Sequence, residues 1–225
     1  MQTPQIAVPP EFQADPFLKL DEPALIKIVK DPESTVFQKN VACRRLALIG
    51  TKEAVPALAA LLTSAELAHY ARFALKPIPD PSVDAALLAA IPRLKGKLLV
   101  GVVNTIGQRQ DARAVEPLAK LMLGPDAEVA EAAALSLGQI SGPAAAKALQ
   151  SALARTKSPV RSAVADAGLV CAEGLLSQGD RKGALALYDA LSRPDIPRTP
   201  RLAAMHSAFA AETSFSRPRT PPSSK

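Results

Sequence analysis

The chain has 225 residues, 48% of them hydrophobic and 4% aromatic with no Trp, which is enough apolar material for a sizeable buried core. Few flat rings argue against a carbohydrate-binding cleft or a base-stacking surface, and two His and two Cys are too few for a metal cluster built from those ligands. The net charge is +6, but residues 193–225 carry +4 of it (six basic and two acidic residues), so no basic groove for nucleic acid is indicated along the rest of the chain.

The two ends of the chain differ in composition from the middle. Four prolines and no apolar period predict an extended arm over residues 1–20. This start lacks the basic and apolar regions of a secretory signal, and no apolar run reaches the ~18 residues of a membrane span. We therefore expect a cytoplasmic protein, or a periplasmic or secreted one if a signal peptide has been removed or is absent from this sequence. Residues 213–225 are rich in Pro and Ser, which predicts a flexible basic tail.

Between the ends, apolar residues recur three and four positions apart in segments of ten to fifteen residues, which predicts helices. Comparison of the sequence with itself shows that the segments repeat. Their shared apolar position, with spacings of 29, 31, 31 and 32 residues, falls at Leu46, Leu75, Ile106, Leu137 and Leu169. A second apolar segment precedes each of these, so each period is predicted to be a helix, a turn, a second helix and another turn.

A helix pair of this kind cannot bury its apolar face alone, so successive pairs must stack. The predicted fold class is all-α: a right-handed α-solenoid of antiparallel helix pairs. Pro56 and Pro117 are placed near the starts of first helices, and Gly50, Gly107 and Gly142 near the ends of second helices, where glycine can terminate a helix. The proline-rich segment 76–81 should stop a second helix at or before Lys76.

The repeated unit resembles the short HEAT repeats of bacterial proteins. The family's second-helix run, Val-Arg-x-x-Ala-Ala-x-Ala-Leu-Gly-x-Ile, is matched by VAEAAALSLGQI at 129–140, and fragments of it recur at 104–109 and 159–169. The resemblance covers about five helix pairs over residues 21–176. Ala130 stands where the family has its Arg, so a ladder of Asp and Arg between repeats is not implied.

The last part of the chain departs from this pattern. Residues 177–212 resemble a tetratricopeptide-like hairpin, with Gly179 and Asp180 as the turn and ALALYDAL as the second helix. A loop is predicted over 194–200 and one more helix over 199–212. Terminal units of solenoids often differ from the internal ones because one of their faces meets water.

No pattern typical of a catalytic, metal or cofactor site is present, and we expect no enzyme activity. His69 and His206 are predicted about four repeats apart, and no nucleophile elbow, zincin motif or phosphate loop occurs. The acidic residues Asp126, Glu128 and Glu131 stand at a predicted helix start, where acids usually cap the helix. Cys43 and Cys171 are predicted to be buried free thiols.

The outward face of the second helices can be predicted from the repeat register. In the fourth repeat, Val129, Ala133, Leu137 and Ile140 form the core stripe, which leaves three other positions facing away from it. Shifting those three positions by the repeat spacings gives three columns of mixed polar and apolar residues, expected to face solvent or a partner: Asn40, His69, Val100, Glu131 and Ala163; Arg44, Phe73, Asn104, Leu135 and Ala167; and Leu48, Pro77, Gln108, Gln139 and Cys171.

Second helices generally line the concave side of such arrays, which is their usual binding surface. The candidate partner-binding residues are therefore Asn40, Arg44, His69, Phe73, Asn104 and Gln108. A plainer interpretation stays open, in which Phe73 packs against a neighbouring helix and Arg44 is merely solvated. The leading functional hypothesis is a non-catalytic scaffold that binds a protein or peptide. The alternatives are a structural module of a larger enzyme or electron-transfer protein, and a helical repeat that binds nucleic acid.

Overall fold

The computed structural model describes residues 16–213. Residues 1–15 of the predicted arm and residues 214–225 of the predicted tail lie outside this range. The described residues form α-helices joined by short turns, some of them 3₁₀, and contain no strand. The helices are α1 (Glu22–Lys30), α2 (Val36–Ile49), α3 (Val55–Ala60), α4 (Ala68–Leu75), α5 (Pro81–Ala90), α6 (Gly96–Arg109), α7 (Val115–Met122), α8 (Ala127–Ile140), α9 (Gly142–Arg155), α10 (Val160–Ser177), α11 (Arg181–Leu191) and α12 (Arg198–Thr213).

The chain divides into two compact units, and the boundary between Ala86 and Leu87 falls inside α5. In the first unit α1 packs on α2, α3 packs on α4, and the second helices α2 and α4 pack on each other. In the second unit α6, α8 and α10 pack in series, with α7 and α9 beside α8, and α11 and α12 follow α10. Within each unit, helices therefore pack in chain order, second helix against second helix, as in an α-solenoid. The all-helical fold class is confirmed, whereas the repeat pattern gave no sign of the division into units.

Four of the described α-helices, α1, α2, α8 and α11, begin at a residue whose side chain accepts a hydrogen bond from a free backbone N–H of the first turn. Thr35 and Gln38 form a capping box at α2: the Gln38 N–H donates to Thr35 Oγ1 at 3.2 Å, and the Thr35 N–H donates to Gln38 Oε1 at 2.8 Å. Asp126 accepts a hydrogen bond from the Val129 N–H at 3.2 Å, which makes it the cap of α8. The expected capping role of this acidic cluster is confirmed at Asp126.

Of two predicted helix ends, the one before Lys76 is confirmed and the one at Gly107 is wrong. Helix α4 ends at Leu75, with Lys76 as its cap, as the prolines that follow it require. Gly107, by contrast, does not terminate α6 but lies buried inside it. The helix ends two residues later, at Arg109, and its cap Gln110 adopts the left-handed conformation with φ of 57°.

The buried glycines of the second helices let neighbouring backbones approach closely. A Cβ atom added to Gly138 on α8 would lie 2.7 Å from the carbonyl oxygen of Ala167 on α10. A Cβ atom on Gly107 of α6 would lie equally close to Ser136 of α8, at 2.7 Å. Both pairs are 29 residues apart in sequence, so the α6–α8 contact is repeated by α8 and α10.

These contacts correct the predicted register of α10. The sequence prediction aligned Leu169 with Leu137, a spacing of 32, and thereby placed Ala167 and Cys171 on the outward face. Both are fully buried, at 0% exposure. The structural spacing is 31, so Gly168 is the counterpart of Leu137, and Asp166 and Val170 take the exposed positions. The predicted core stripe of α8 is confirmed, since Val129, Ala133, Leu137 and Ile140 are all buried.

The last two described helices, α11 and α12, pack on α10 in the second unit. Gly179, with φ of 85°, makes the turn after α10, and Asp180 caps α11 by accepting a hydrogen bond from the Gly183 N–H at 2.9 Å. Leu191 near the end of α11 fills the space beside Gly168. Helix α12 starts at Arg198 and packs on α10 and α11.

Candidate partner-binding surface

Helix α2 of the first unit exposes large apolar side chains around a predicted site residue. Arg44 is exposed, and Phe37 and Leu48 lie seven residues before it and four after it, on the same side of the helix. Phe37 is 70% exposed and Leu48 is 75% exposed. The opposite side of α2 carries the buried residues Ala42, Cys43 and Leu46. The helix therefore has a core stripe and an outward stripe, and the outward one is largely apolar.

Helix α4, which packs beside α2, exposes two further predicted residues. His69 and Phe73 are one turn apart, and Phe73 is 51% exposed. The His69 ring stands edge-on to the ring of Tyr70, with 5.5 Å between centroids. Phe73 is thus only half covered by its neighbours. We call the set Phe37, Arg44, Leu48, His69 and Phe73 the α2–α4 face.

Asn40 lies at the flank of this face. It is half-buried, and its Oδ1 atom is enclosed and accepts no hydrogen bond from the described residues. A buried amide oxygen normally has a donor, so the Oδ1 atom of Asn40 is an exception to the usual pairing.

The charges on the two helices all have the same sign. Helices α2 and α4 carry Lys39, Arg44, Arg45 and Arg72 and no Asp or Glu. Burial lowers the pKa of the Arg72 guanidinium from its ordinary value. The Nε atoms of Arg45 and Arg72 are buried and donate no hydrogen bond within the described residues. The charged residues of α2 and α4 are therefore all basic, whereas Glu33 and Glu66 stand just before these two helices.

The two remaining candidates, Asn104 and Gln108, belong to the second unit. Both are exposed and lie one turn apart on α6. On α8, Leu135 (46% exposed) and Gln139 occupy the equivalent positions 31 residues later. This surface carries neutral amides and a single leucine, and so offers hydrogen bonds more than apolar anchors.

Sequence reasoning missed Phe37, the second most exposed of the large apolar residues on the α2–α4 face. The columns were built from three positions per helix, and residue 37 lies one step beyond them, seven residues before Arg44. A residue seven positions before Arg44 lies on the same side of α2, so extending the columns toward the start of this helix would have included Phe37.

The two histidines belong to different units, and the two cysteines are buried. His69 belongs to the first unit and His206 to the second. Cys43 and Cys171 are buried free thiols, as predicted, and burial raises the pKa of Cys43 to about 12 and that of Cys171 to about 11. Among residues 16–213, no group of three or more His, Cys, Asp or Glu is placed to hold a metal ion.

A groove of about 580 Å³ lies between α10, α11 and α12 in the second unit. Tyr188 is buried at its base, and Glu173, Arg181 and His206 are at its margins. The pKa of Tyr188 is raised by burial and by the negative charge of Glu173, against a lowering hydrogen bond with Ser207. A tyrosine held in its neutral form offers a hydrogen-bond donor and no nucleophile.

Within residues 16–213, none of the helices combines the length and the apolar character needed to cross a lipid bilayer.

No curated protein matches the sequence. Among solved structures, the chain is similar to the crystal structure of an engineered protein, at 22% sequence identity over 87% of this chain and 97% of that one, with a TM-score of 0.44. In sequence, residues 79–167 match the family of HEAT repeats. The match and the helical packing together support a HEAT-like repeat protein, while the tetratricopeptide likeness of residues 177–212 stays a prediction.

Proposed function

We propose that this protein is a non-catalytic helical-repeat scaffold that binds a protein or peptide partner on the outward side of its second helices. The observation that carries the proposal is the α2–α4 face, where three large apolar side chains stand exposed around one arginine. Single exposed apolar residues are ordinary, but several on two packed helices are typical of an interaction surface. Aromatic residues and arginine are also the residue types that contribute most to binding energy at interfaces.

The charge of the surrounding helices favours a partner segment of a particular kind. Helices α2 and α4 have four basic residues and no acidic one, so an acidic segment would be attracted and a basic one repelled. Apolar side chains of the same segment would cover Phe37, Leu48 and Phe73. The partner is therefore an acidic peptide or helix with apolar anchors.

The proposal can be tested with peptides selected from a random display library on the immobilised full chain. Fluorescence anisotropy of a labelled selected peptide then measures affinity for the wild type and for the double variant Arg44→Ala/Phe73→Ala. Since truncation of a central anchor typically costs more than about 1 kcal/mol, we expect binding to weaken at least about tenfold. Affinity should also fall as salt is raised, because part of the attraction is electrostatic.

A matched control is the double variant Leu123→Ala/Arg155→Ala, which removes an exposed apolar residue and an exposed arginine from the second unit. It should bind the peptide like the wild type. Equal affinity of the wild type and the Arg44→Ala/Phe73→Ala variant would show that the α2–α4 face is not the binding surface.

A further inference from the structure

The outer side of α12 is apolar, although it belongs to the last described helix of the second unit. Leu202, Met205 and Phe209 are 51%, 52% and 67% exposed. The opposite side of the helix carries Pro200 and Ala204, which are buried against α10 and α11. A terminal helix of a repeat array normally presents polar residues to water, so three large apolar side chains in one row require a partner surface.

The row continues at both ends with residues of opposite charge. Arg198 lies four residues before Leu202, and Glu212 lies three residues after Phe209, so the spacings along the row are 4, 3, 4 and 3. This alternation keeps all members on one side of a helix and is the pattern of helices that pair lengthwise. We call Arg198, Leu202, Met205, Phe209 and Glu212 the α12 seam.

The α12 seam is complementary to itself when reversed. In an antiparallel pair with its two-fold axis near Met205, Arg198 of one copy approaches Glu212 of the other, at both ends of the pair. Leu202 of each copy then approaches Phe209 of the other, and the helix dipoles are opposed, which is favourable. A parallel arrangement would instead place Arg198 beside Arg198 and Glu212 beside Glu212.

The segment that follows α12 in sequence is a poor match for the row. Residues 214–225 contain one large apolar side chain, Phe215, together with three basic residues and three prolines, so they have neither the apolar spacing nor the acidic charge to pair with it. The groove beside Tyr188 uses a different side of α12, lined by Ser207, Ala210 and Ala211. The apolar members of the α12 seam are thus distinct from the groove lining, whereas Glu212 adjoins the groove and accepts a hydrogen bond at its backbone carbonyl from Arg181 Nη2, at 3.3 Å.

From this complementarity of charge and apolar spacing we propose that two copies of the chain pair in antiparallel fashion through the α12 seam. The seam spans roughly 20 Å of helix, and a pair this short covers less than the ~800 Å² per partner of a standard stable interface. The dimer is therefore weak and forms where the local concentration of the chain is high.

Sedimentation velocity of the full chain over a range of concentrations tests the proposal. The wild type should shift from monomer to dimer as concentration rises, and Leu202→Glu should remain monomeric. Because the substituted residues are exposed, the variants should keep the circular dichroism and melting temperature of the wild type. Leu135→Glu, at a leucine of similar exposure on α8, is the control and should dimerise normally.

Charge reversal tests the antiparallel geometry in particular. Arg198→Glu and Glu212→Arg should each weaken the dimer about tenfold, because like charges then meet at both ends of the pair. The variant with both reversals should recover the wild-type affinity. A short bismaleimide should also crosslink Met205→Cys into dimers, and the two native cysteines will not interfere since both are buried.

Two outcomes would overturn the proposal. A wild type that stays monomeric up to millimolar concentration, with no crosslink at residue 205, would mean that something other than a second copy covers the α12 seam. A dimer that Leu202→Glu and the single charge reversals leave unchanged would mean that the copies pair through a different surface.

Discussion

Gly107 of α6 lies directly against Ser136 of α8, so closely that a Cβ atom on the glycine would stand 2.7 Å from the serine Oγ and Cβ. The hydroxyl of Ser136 donates a hydrogen bond to the carbonyl oxygen of Val103, at 3.0 Å, across the same contact. At these glycines the second helices of this unit therefore meet through backbone atoms and small side chains rather than through large side chains. These helices contain small residues at their contacts because larger side chains would not fit at this distance between the helices.

The close approach of Gly138 to Ala167 predicts that Gly138→Ala destabilises the protein. The new methyl group would lie 2.7 Å from a backbone oxygen, which can yield only if α8 and α10 separate. Overpacking of this kind costs about 1–3 kcal/mol, which exceeds the helix-propensity gain of up to about 1 kcal/mol for Ala over Gly. Urea denaturation followed by circular dichroism should show the loss.

Gly168→Ala is the matched control, in the neighbouring second helix. The atoms that its Cβ would meet belong to the side chain of Leu191, at 3.1 and 3.2 Å, and a leucine side chain can shift. The propensity gain should offset the remaining strain, so the free energy of unfolding should change little. A Gly138→Ala variant as stable as Gly168→Ala would show that the α8–α10 contact is looser than described.

The sequence predicted the helix pairs and their period because the apolar spacing follows directly from burial on one side of each helix. It failed at α10 for a physical reason. The position equivalent to Leu137 is Gly168, and the volume that a leucine would occupy there is filled by Leu191 from α11. Because the leucine that fills this space comes from another helix, the sequence around residue 168 does not identify Gly168 as the counterpart of Leu137. The alignment was therefore placed one residue later, on Leu169.

The sequence predicted which single residues are exposed better than it predicted which of them form a common surface. Arg44 and Phe73 are exposed as expected, because any residue opposite a core stripe on a helix faces away from the core. Which exposed residues of different helices lie together depends on helix packing, and the joining of His69 and Phe73 on α4 to Arg44 on α2 follows from the contact between these two helices. The α12 seam was not predicted either, because the burial of Pro200 and Ala204 had to be known before its outer side could be identified.

Ser136→Ala should destabilise the protein by about 1 kcal/mol. Ser136 is 1% exposed, and the substitution removes a buried hydrogen bond to the Val103 carbonyl while keeping the Cβ atom that packs beside Gly107. Ser151→Ala, at an exposed serine of α9, should leave the free energy of unfolding unchanged. An equal effect of the two substitutions in urea denaturation would assign no net stabilisation to the Ser136 hydroxyl.

The two thiols should be unreactive in the folded protein. Both cysteines are at 0% exposure, and burial raises their pKa, so almost no accessible thiolate exists at pH 8. A chromogenic disulfide reagent should label neither thiol in native buffer and two thiols per chain in concentrated urea. Fast labelling of one thiol in the native protein would mean that the unit containing it opens readily.

The same burial predicts a loss of stability at alkaline pH. The folded chain holds its thiol protons up to a pKa of about 12 at Cys43 and about 11 at Cys171, whereas an unfolded chain releases them near the ordinary value of 9.0. A pKa raised by folding gives stabilisation that is complete below the unfolded value and is lost as pH rises through the window between the two. Above pH 9 the free energy of unfolding should fall by up to about 1.4 kcal/mol per pH unit for each thiol.

The variant Cys43→Ala/Cys171→Ala should be less stable at neutral pH but show a shallower decline between pH 9 and 11, as measured by urea denaturation. Identical slopes for the variant and the wild type would mean that the thiols do not control this decline.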